Sequence, residues 1–476
     1  MPSEEASPKG TVPFSLRENR DSPPPTDPLM ADPKGTVAFS LRENRDSPPP
    51  LSRRAVWAGG EPITNALMAR TLAQPDLVSL AAGFVDYESL PVEPVRRAME
   101  AIFGDSARAH AALQYGTTIG HGPLRAAVLE RMLCADGRTA AELGLSPDRV
   151  VMTAGSNQLL FMVSDALLDP GDIVLCGAPT YFVYLGTIEN LGARAFGVAC
   201  DEHGLVPEAL DDALARLAAA GELGRVKAIY VTTYYDNPSG VSVPAARRAA
   251  IIELAQRWSR SGRIYVIEDA AYRELRYAAD DIPSLRSFDA AGDTVVHAGT
   301  FSKSFSPGVR VGWGILPPAL LGPVLAAKGH IDFGSPNFNQ LLMATVLELG
   351  LYDDHLVRLR AQYKQKLDAT LRAAEAHLRG IEGVDWVAPT GGLYLWLRLP
   401  PEIDTGLEGP LFDRAVAEGV LYIPGEHCYP GHGTPRPRNM IRLSFGIPSA
   451  ESIARGVAAL GRAIRQVAGR ARKPPC

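Results

Sequence analysis

From Leu51 onward, short apolar runs alternate with longer stretches whose apolar positions recur at helical spacing. The short runs Val150–Thr153, Ile173–Cys176, Ala195–Val198, Ala228–Thr232, Tyr265–Ile267 and Thr294–Ala298 are rich in β-formers and read as strands. Helices are predicted over Val95–Phe103, Leu124–Leu133, Ser156–Leu168, Ala245–Arg260 and Asp353–Leu378, the last being the longest. Strands joined through crossover helices predict a mainly parallel sheet covered on both faces. In such sheets the reactive groups collect on loops just beyond the strand C-termini.

The loops that follow the predicted strands carry distinctive residues. After the last strand comes Thr300-Phe-Ser-Lys303-Ser-Phe-Ser-Pro-Gly-Val-Arg310, which sets one amine among hydroxyls and seven residues before a guanidinium. A lysine has a pKa of about 10.4 in water, so a nucleophilic one needs desolvation or a neighbouring cation. Phe301, Phe305 and Val309 supply the first and Arg310 the second, and a guanidinium fork with Ser302 suits a phosphate. Pro307-Gly308 turns the chain, which folds Arg310 back toward the same anion. Taken alone, the stretch fits a solvated polar loop equally well. Gly155-Ser156-Asn157 opens a helix after Thr153, with Ser156 as its expected cap, and offers either an anion site or an ordinary helix start. Asn237-Pro follows another strand as an amide donor or a turn. Asp269 and Tyr272 follow a third, as partners for a ring nitrogen and a ring oxygen, or as a helix cap and a packed aromatic.

Composition narrows the class. The chain has 476 residues, 46% hydrophobic and 21% charged, with a formal charge of −5, so it is globular and not built for nucleic acid. Five scattered cysteines lack metal-ligand spacing, and no apolar run or signal peptide suggests a membrane or export; a cytoplasmic protein without a metal is expected. Residues 1–50 differ from the rest. PKGTVPFSLRENRDSPPP at 8–25 recurs at 33–50 with one change, Pro13 against Ala38, and reads as a disordered tail or as a repeated docking motif.

Order and spacing of the motifs together are specific. Gly83, Leu113-Gln-Tyr115-Gly, Gly155-Ser156-Asn157, Pro179-Thr-Tyr181, Asn237-Pro-Ser-Gly, Asp269-Ala-Ala-Tyr272, Ser302-Lys303 through Arg310, Gly391-Gly-Leu-Tyr394-Leu-Trp396 and Ile441-Arg442-Leu-Ser-Phe form one series. With it, the chain from about Val78 to Val467 resembles the fold-type I, pyridoxal-phosphate-dependent aminotransferases of class I/II. VSLAAGFVDYESLP and the segment around Tyr352 and His355 resemble the kynurenine/α-aminoadipate (2-aminoadipate) subgroup.

The resemblance implies an α/β fold with a mostly parallel seven-stranded sheet sandwiched by helices, plus a smaller α+β domain. The expected division is a tail at 1–50, an arm and part of the small domain at 51–93, a large cofactor domain at 94–332 and a small C-terminal domain at 333–476. It implies that Lys303 carries pyridoxal 5'-phosphate as an aldimine and moves the catalytic proton. It further implies that Asp269 holds the pyridine nitrogen and that Asn237 and Tyr272 hold the ring oxygen. Tyr181 would stack on the ring, and Gly155, Ser156, Asn157, Ser302 and Arg310 would bind the phosphate. Tyr115 would reach the neighbouring subunit's phosphate, implying a homodimer with composite sites, and Gly83, Asn237 and Arg442 would receive the substrate. The expected reaction is ping-pong transfer from an L-amino acid to a 2-oxo acid, 2-oxoglutarate foremost. A lyase, cyclase or decarboxylating enzyme on the same cofactor, or a cofactor-binding regulatory sensor, are the alternatives. Gly177 and Tyr234-Tyr235-Asp236 depart from the family pattern, and Arg53, Arg54 and Arg70 are candidates to read a second substrate carboxylate.

Overall fold

The computed structural model describes residues 51–57, 63, 67, 70, 74, 76–278 and 280–471; the duplicated segment at 1–50 lies outside them. Residues from Ser52 on form one compact unit. Its strands are β1 (Val78–Ser79), β2 (Val150–Thr153), β3 (Ile173–Ala178), β4 (Arg194–Asp201), β5 (Gly204–Leu205), β6 (Val226–Thr232), β7 (Tyr265–Asp269), β8 (Val295–Thr300), β9 (Gly312–Ile315), β10 (Asp385–Trp386), β11 (Tyr394–Arg398), β12 (Val420–Leu421), β13 (Ile423–Pro424) and β14 (Met440–Ser444).

The main sheet has the order β2-β9-β8-β7-β6-β3-β4-β5. Neighbours from β8 through β4 are parallel, whereas β9 runs antiparallel to both β2 and β8. Seven strands make the body of the sheet, and the eighth, β5, is a two-residue antiparallel edge hairpin with β4. The strands are apolar throughout because both faces are covered. Val174 and Cys176 pack in one cluster with Leu159, Val163 and Leu320, while Ile173 and Leu175 pack in another with Leu210, Leu214 and Ile251. That alternation puts helices Ser156–Leu167 and Pro318–Ile331 on one face and Pro207–Ala219 and Ala245–Trp258 on the other.

A second sheet, β10-β11-β14-β13, is wholly antiparallel, and helices Leu351–His377 and Ala450–Ala471 lie against each other beside it. β1 pairs in parallel with β12, Val78 opposite Val420, and so ties the segment leading to Ala81 and Gly83 to the C-terminal part of the chain. Each helix and strand expected from the pattern is present within a few residues, whereas β9 and the second sheet carried no clear periodic signal. Among the described residues no helix is long and apolar enough to cross a membrane.

Candidate active site

β2, β6, β7 and β8 all run the same way through the sheet, so their C-terminal ends open on one edge. The loops there form a cleft of about 230 Å³ lined by Ser156, Asn157, Tyr181, Asn237, Asp269, Tyr272, Ser302, Lys303 and Arg310, with Phe84, Thr232 and Thr300 completing the wall. The half-buried Lys303 extends across it, and its Nζ donates to the Gly83 carbonyl at 2.9 Å.

Asp269 ends β7 with its side chain buried. Its Oδ2 accepts from the Tyr230 hydroxyl at 2.9 Å and its Oδ1 from the Ala271 N–H at 3.1 Å. Burial pushes its carboxyl above the usual range, and those two donors oppose the shift. A cation set against it would hold it ionised. The preceding Glu268 faces the opposite side of the strand. It accepts from His297 Nδ1 and the Thr233 hydroxyl at 2.8 Å and from the Leu285 N–H at 2.9 Å, with Arg248 3.8 Å away. Burial opposes its ionisation, but His297, Arg248 and the Leu285 N–H outweigh it and hold the pKa at about 2.

The anion end is a loop assembly. Gly155, not Ser156, is the N-cap of helix Ser156–Leu167; it adopts φ +86° and supplies no side-chain cap, leaving Ser156 as the first helical residue. A Cβ at Gly155 would come within 2.5 Å of Arg310 Nη2, so glycine is required for the guanidinium to lie there. Arg310 ends the short turn Pro307–Val309 in the left-handed region and donates to the Ala154 carbonyl at 2.9 Å and to Ser302 Oγ at 3.4 Å. Thr300 in turn donates to Ser302 Oγ at 3.0 Å. An uncapped helix N-terminus beside a guanidinium and two hydroxyls is a receptor for a phosphate.

The other end is buried. Arg442, on β14 opposite Trp396 and Ile423, is 2% exposed. Its Nη1 donates to Asn237 Oδ1 at 2.8 Å and its Nη2 to the Ala81 carbonyl at 2.7 Å, while its Nε is buried without a partner. The guanidinium lies 4.5 Å from the Tyr394 ring centre and 5.4 Å from that of Phe182. Because Asn237 Oδ1 is engaged, its amide nitrogen is the atom left to donate into the cleft. Tyr272 is buried; burial raises its phenol well above the ordinary range, keeping it a proton donor, and its oxygen lies 3.0 Å from that of Tyr394.

Not every expected residue meets the cleft. Tyr115 is 82% exposed and packs edge-on to Phe333, 5.5 Å between ring centres, away from the lining. Gly155 and Gly83 contribute backbone, and Arg442 reaches the site through Asn237. Arg53 stacks on Trp57, Arg54 pairs with Asp165 and Arg70 stacks on Phe412, so none of these three lines the cleft of its own chain. The unusual Tyr234 donates to the Ile282 carbonyl and has the Arg248 and Arg273 guanidiniums 4.1 and 5.1 Å from its ring centre, while Tyr235, at φ +44°, packs on Gly391 and Gly392. A Cβ at Gly177 would come within 3.0 Å of Cys200 Sγ, so a larger residue there would press on β4. Sequence reading gave no role to Tyr230, Tyr394 or Phe84. Only a cross-strand register, Tyr230 beside Ile267 and Tyr394 beside Ser444, exposes the first two.

The residues present fit pyridoxal phosphate: an uncapped helix N-terminus with Arg310 for the phosphate, a buried carboxylate for a ring nitrogen, and a lysine between them. Fold and site together define a fold-type I transferase dependent on that cofactor. Residues 75–460 match the family model for aminotransferase class I and II. Aromatic-amino-acid aminotransferase 1 of Thermococcus litoralis is 32% identical over 82% of this chain and 88% of its own. The 2-aminoadipate transaminase of Thermus thermophilus is 32% identical over 82% of this chain and 91% of its own. The crystal structure of the multiple substrate aminotransferase from Thermococcus profundus superposes with a TM-score of 0.80 at 32% identity, covering 88% of this chain and 98% of that one. The chain belongs to the class I and II aminotransferases, and it is an enzyme of amino-group transfer.

Proposed function

We propose that this aminotransferase passes the amino group of an L-amino acid to 2-oxoglutarate in two half-reactions, with Lys303 as the catalytic lysine. The observation that carries the reading is the convergence of Lys303, Asp269, Asn237, Tyr272 and Arg310 on one cleft from three separate strand ends. Pyridoxal phosphate, when bound, supplies an electron sink for the charge left on the substrate α-carbon.

The chain's own residues do the rest. Ser156, Asn157, Ser302 and Arg310 hold the phosphate, with the helix N-terminus adding its partial charge. Asp269, steadied by Tyr230 and the Ala271 N–H, stays ionised against a protonated ring nitrogen. The Asn237 amide and the Tyr272 phenol donate to the ring oxygen, and Tyr181 covers a ring face. Arg442 receives the substrate α-carboxylate, whose charge gives the buried guanidinium a partner of opposite sign. Lys303 Nζ, released from the Gly83 carbonyl, takes the proton from the substrate α-carbon and returns it on the other side of the reaction. We assign 94–332 to a large cofactor-binding domain and 51–93 with 333–476 to a small domain that brings Arg442 across the cleft and excludes water.

We also read the enzyme as a homodimer. Leu113, Tyr115, Ile331 and Phe333 all expose large apolar side chains, which a second copy would cover, bringing Tyr115 of one protomer to the phosphate site of the other. A panel of amino donors with 2-oxoglutarate tests the reaction. Glutamate formation with the wild type and none with Lys303→Ala supports it; ammonia or carbon dioxide release without glutamate contradicts it.

A further inference from the structure

We infer that Tyr394 is a positioning residue for Tyr272: its hydroxyl donates to the Tyr272 oxygen and so commits the Tyr272 proton to the cleft. The inference rests on pyridoxal phosphate occupying the cleft as proposed above.

Tyr394 opens β11 and is 1% exposed, so its hydroxyl must find a partner within the protein. That partner is the Tyr272 phenol, oxygen to oxygen 3.0 Å, with the rings edge to face at 5.7 Å and 77°. A phenol has one proton, so in a facing pair one member donates and the other accepts. Tyr272 lines the cleft and Tyr394 does not. If Tyr272 donated to Tyr394, its proton would point away from the cleft, and the ring oxygen would lose that donor. An anionic ring oxygen accepts more strongly than a neutral phenol, so it draws the Tyr272 proton and leaves Tyr394 to donate behind it. Two donors in series polarise each other, which strengthens the one that faces the anion.

Two further contacts hold Tyr394 in that role. The Arg442 guanidinium lies over its ring at 4.5 Å, fixing the plane of the phenol through a cation–π contact. Gly83 lies against its hydroxyl so closely that a Cβ there would come within 2.6 Å of the oxygen. The same Gly83 accepts from Lys303 Nζ. The ring is therefore packed between the carboxylate-binding arginine, the lysine's backbone acceptor and the phenol it orients.

The test uses the cofactor-loaded protein without substrate, titrated by visible absorbance, in the wild type, Tyr394→Phe, Tyr272→Phe and the double variant. Tyr394→Phe keeps the ring, its edge contact and its place under Arg442, and removes only the hydroxyl. A weaker Tyr272 donor leaves more negative charge on the ring oxygen and raises the affinity for the proton beside it. The midpoint of the absorbance change should rise by about 0.5–1 pH unit, the equivalent of one net hydrogen bond. Tyr272→Phe should raise it further, and adding Tyr394→Phe to that background should change it little, because the effect passes through Tyr272. With amino donor, Tyr394→Phe should lower kcat by about 3–10-fold with KM within about two-fold. An unchanged midpoint in Tyr394→Phe, or a shift that adds in full to that of Tyr272→Phe, overturns the inference while leaving the proposed function standing. A wild type without any visible band on loading removes the cofactor placement and the inference with it.

Discussion

The two ends of the cleft are built in opposite ways. At the anion end, Arg310 is exposed and held by nearby loop groups, Ser302 and the carbonyl of Ala154, beside a glycine-capped helix. At the carboxylate end, Arg442 is buried, already bonded to Asn237 and Ala81, and enclosed by Tyr394 and Phe182. In the proposed reaction the first is the receptor for the cofactor phosphate, which would stay bound through many turnovers with its affinity spread over several weak donors. The second is a desolvated cation that receives the substrate carboxylate in each half-reaction of that scheme, so one side chain would carry most of the substrate recognition there.

That contrast predicts a ranking. Arg442→Ala should have the largest effect, lowering kcat/KM for the amino donor by about 10²–10³-fold while changing cofactor affinity by less than about three-fold. Steady-state kinetics beside cofactor titration read both quantities, and equal losses would erase the distinction between the ends. Arg310→Ala should show the converse, with cofactor binding weakened about 10–100-fold and the donor KM of reloaded enzyme nearly unchanged. Gly155→Ala should act in the same direction but less, about 3–10-fold, because the added Cβ displaces Arg310 and strains the backbone at φ +86° without removing a charge.

The last effect is on stability rather than turnover and concerns Glu268, the residue before Asp269 on β7. Glu268 has a folded pKa of about 2 against an ordinary 4.5, so its contribution to stability is complete above about 4.5 and is lost as pH falls toward 2. Acid unfolding followed by circular dichroism should show this steep segment in the wild type and a flatter one in Glu268→Gln. An identical acid slope in the two proteins would remove Glu268 as the source.

The same contrast explains what the sequence reveals. The anion end is local: Gly155, Ser156 and Asn157 are consecutive, and Ser302, Lys303 and Arg310 share one loop, so turn chemistry and strand position make them readable. The carboxylate end joins residues 205 and 361 positions apart, Asn237 and Ala81 to Arg442, through antiparallel pairs with no periodic signature. Arg442 was therefore legible only through the resemblance. Tyr394 appeared within its motif without a role, and Tyr230 looked like any apolar strand residue until Asp269 was set beside it. The large sheet was legible because its strands are apolar on both faces and separated by helices. β9 was not, since its glycines, Gly312 and Gly314, accommodate close neighbours instead of marking a strand; a Cβ at either would fall within 2.6 Å of Ser156 N or of a Leu159 methyl.

The central claim is that Lys303 is the residue to which pyridoxal phosphate attaches. Borohydride reduction of the cofactor-loaded protein, followed by peptide mapping by mass spectrometry, tests it directly. The account predicts a phosphopyridoxyl group on the peptide containing Lys303, and its loss in Lys303→Ala. Modification of another lysine, with Lys303 left free, would contradict it.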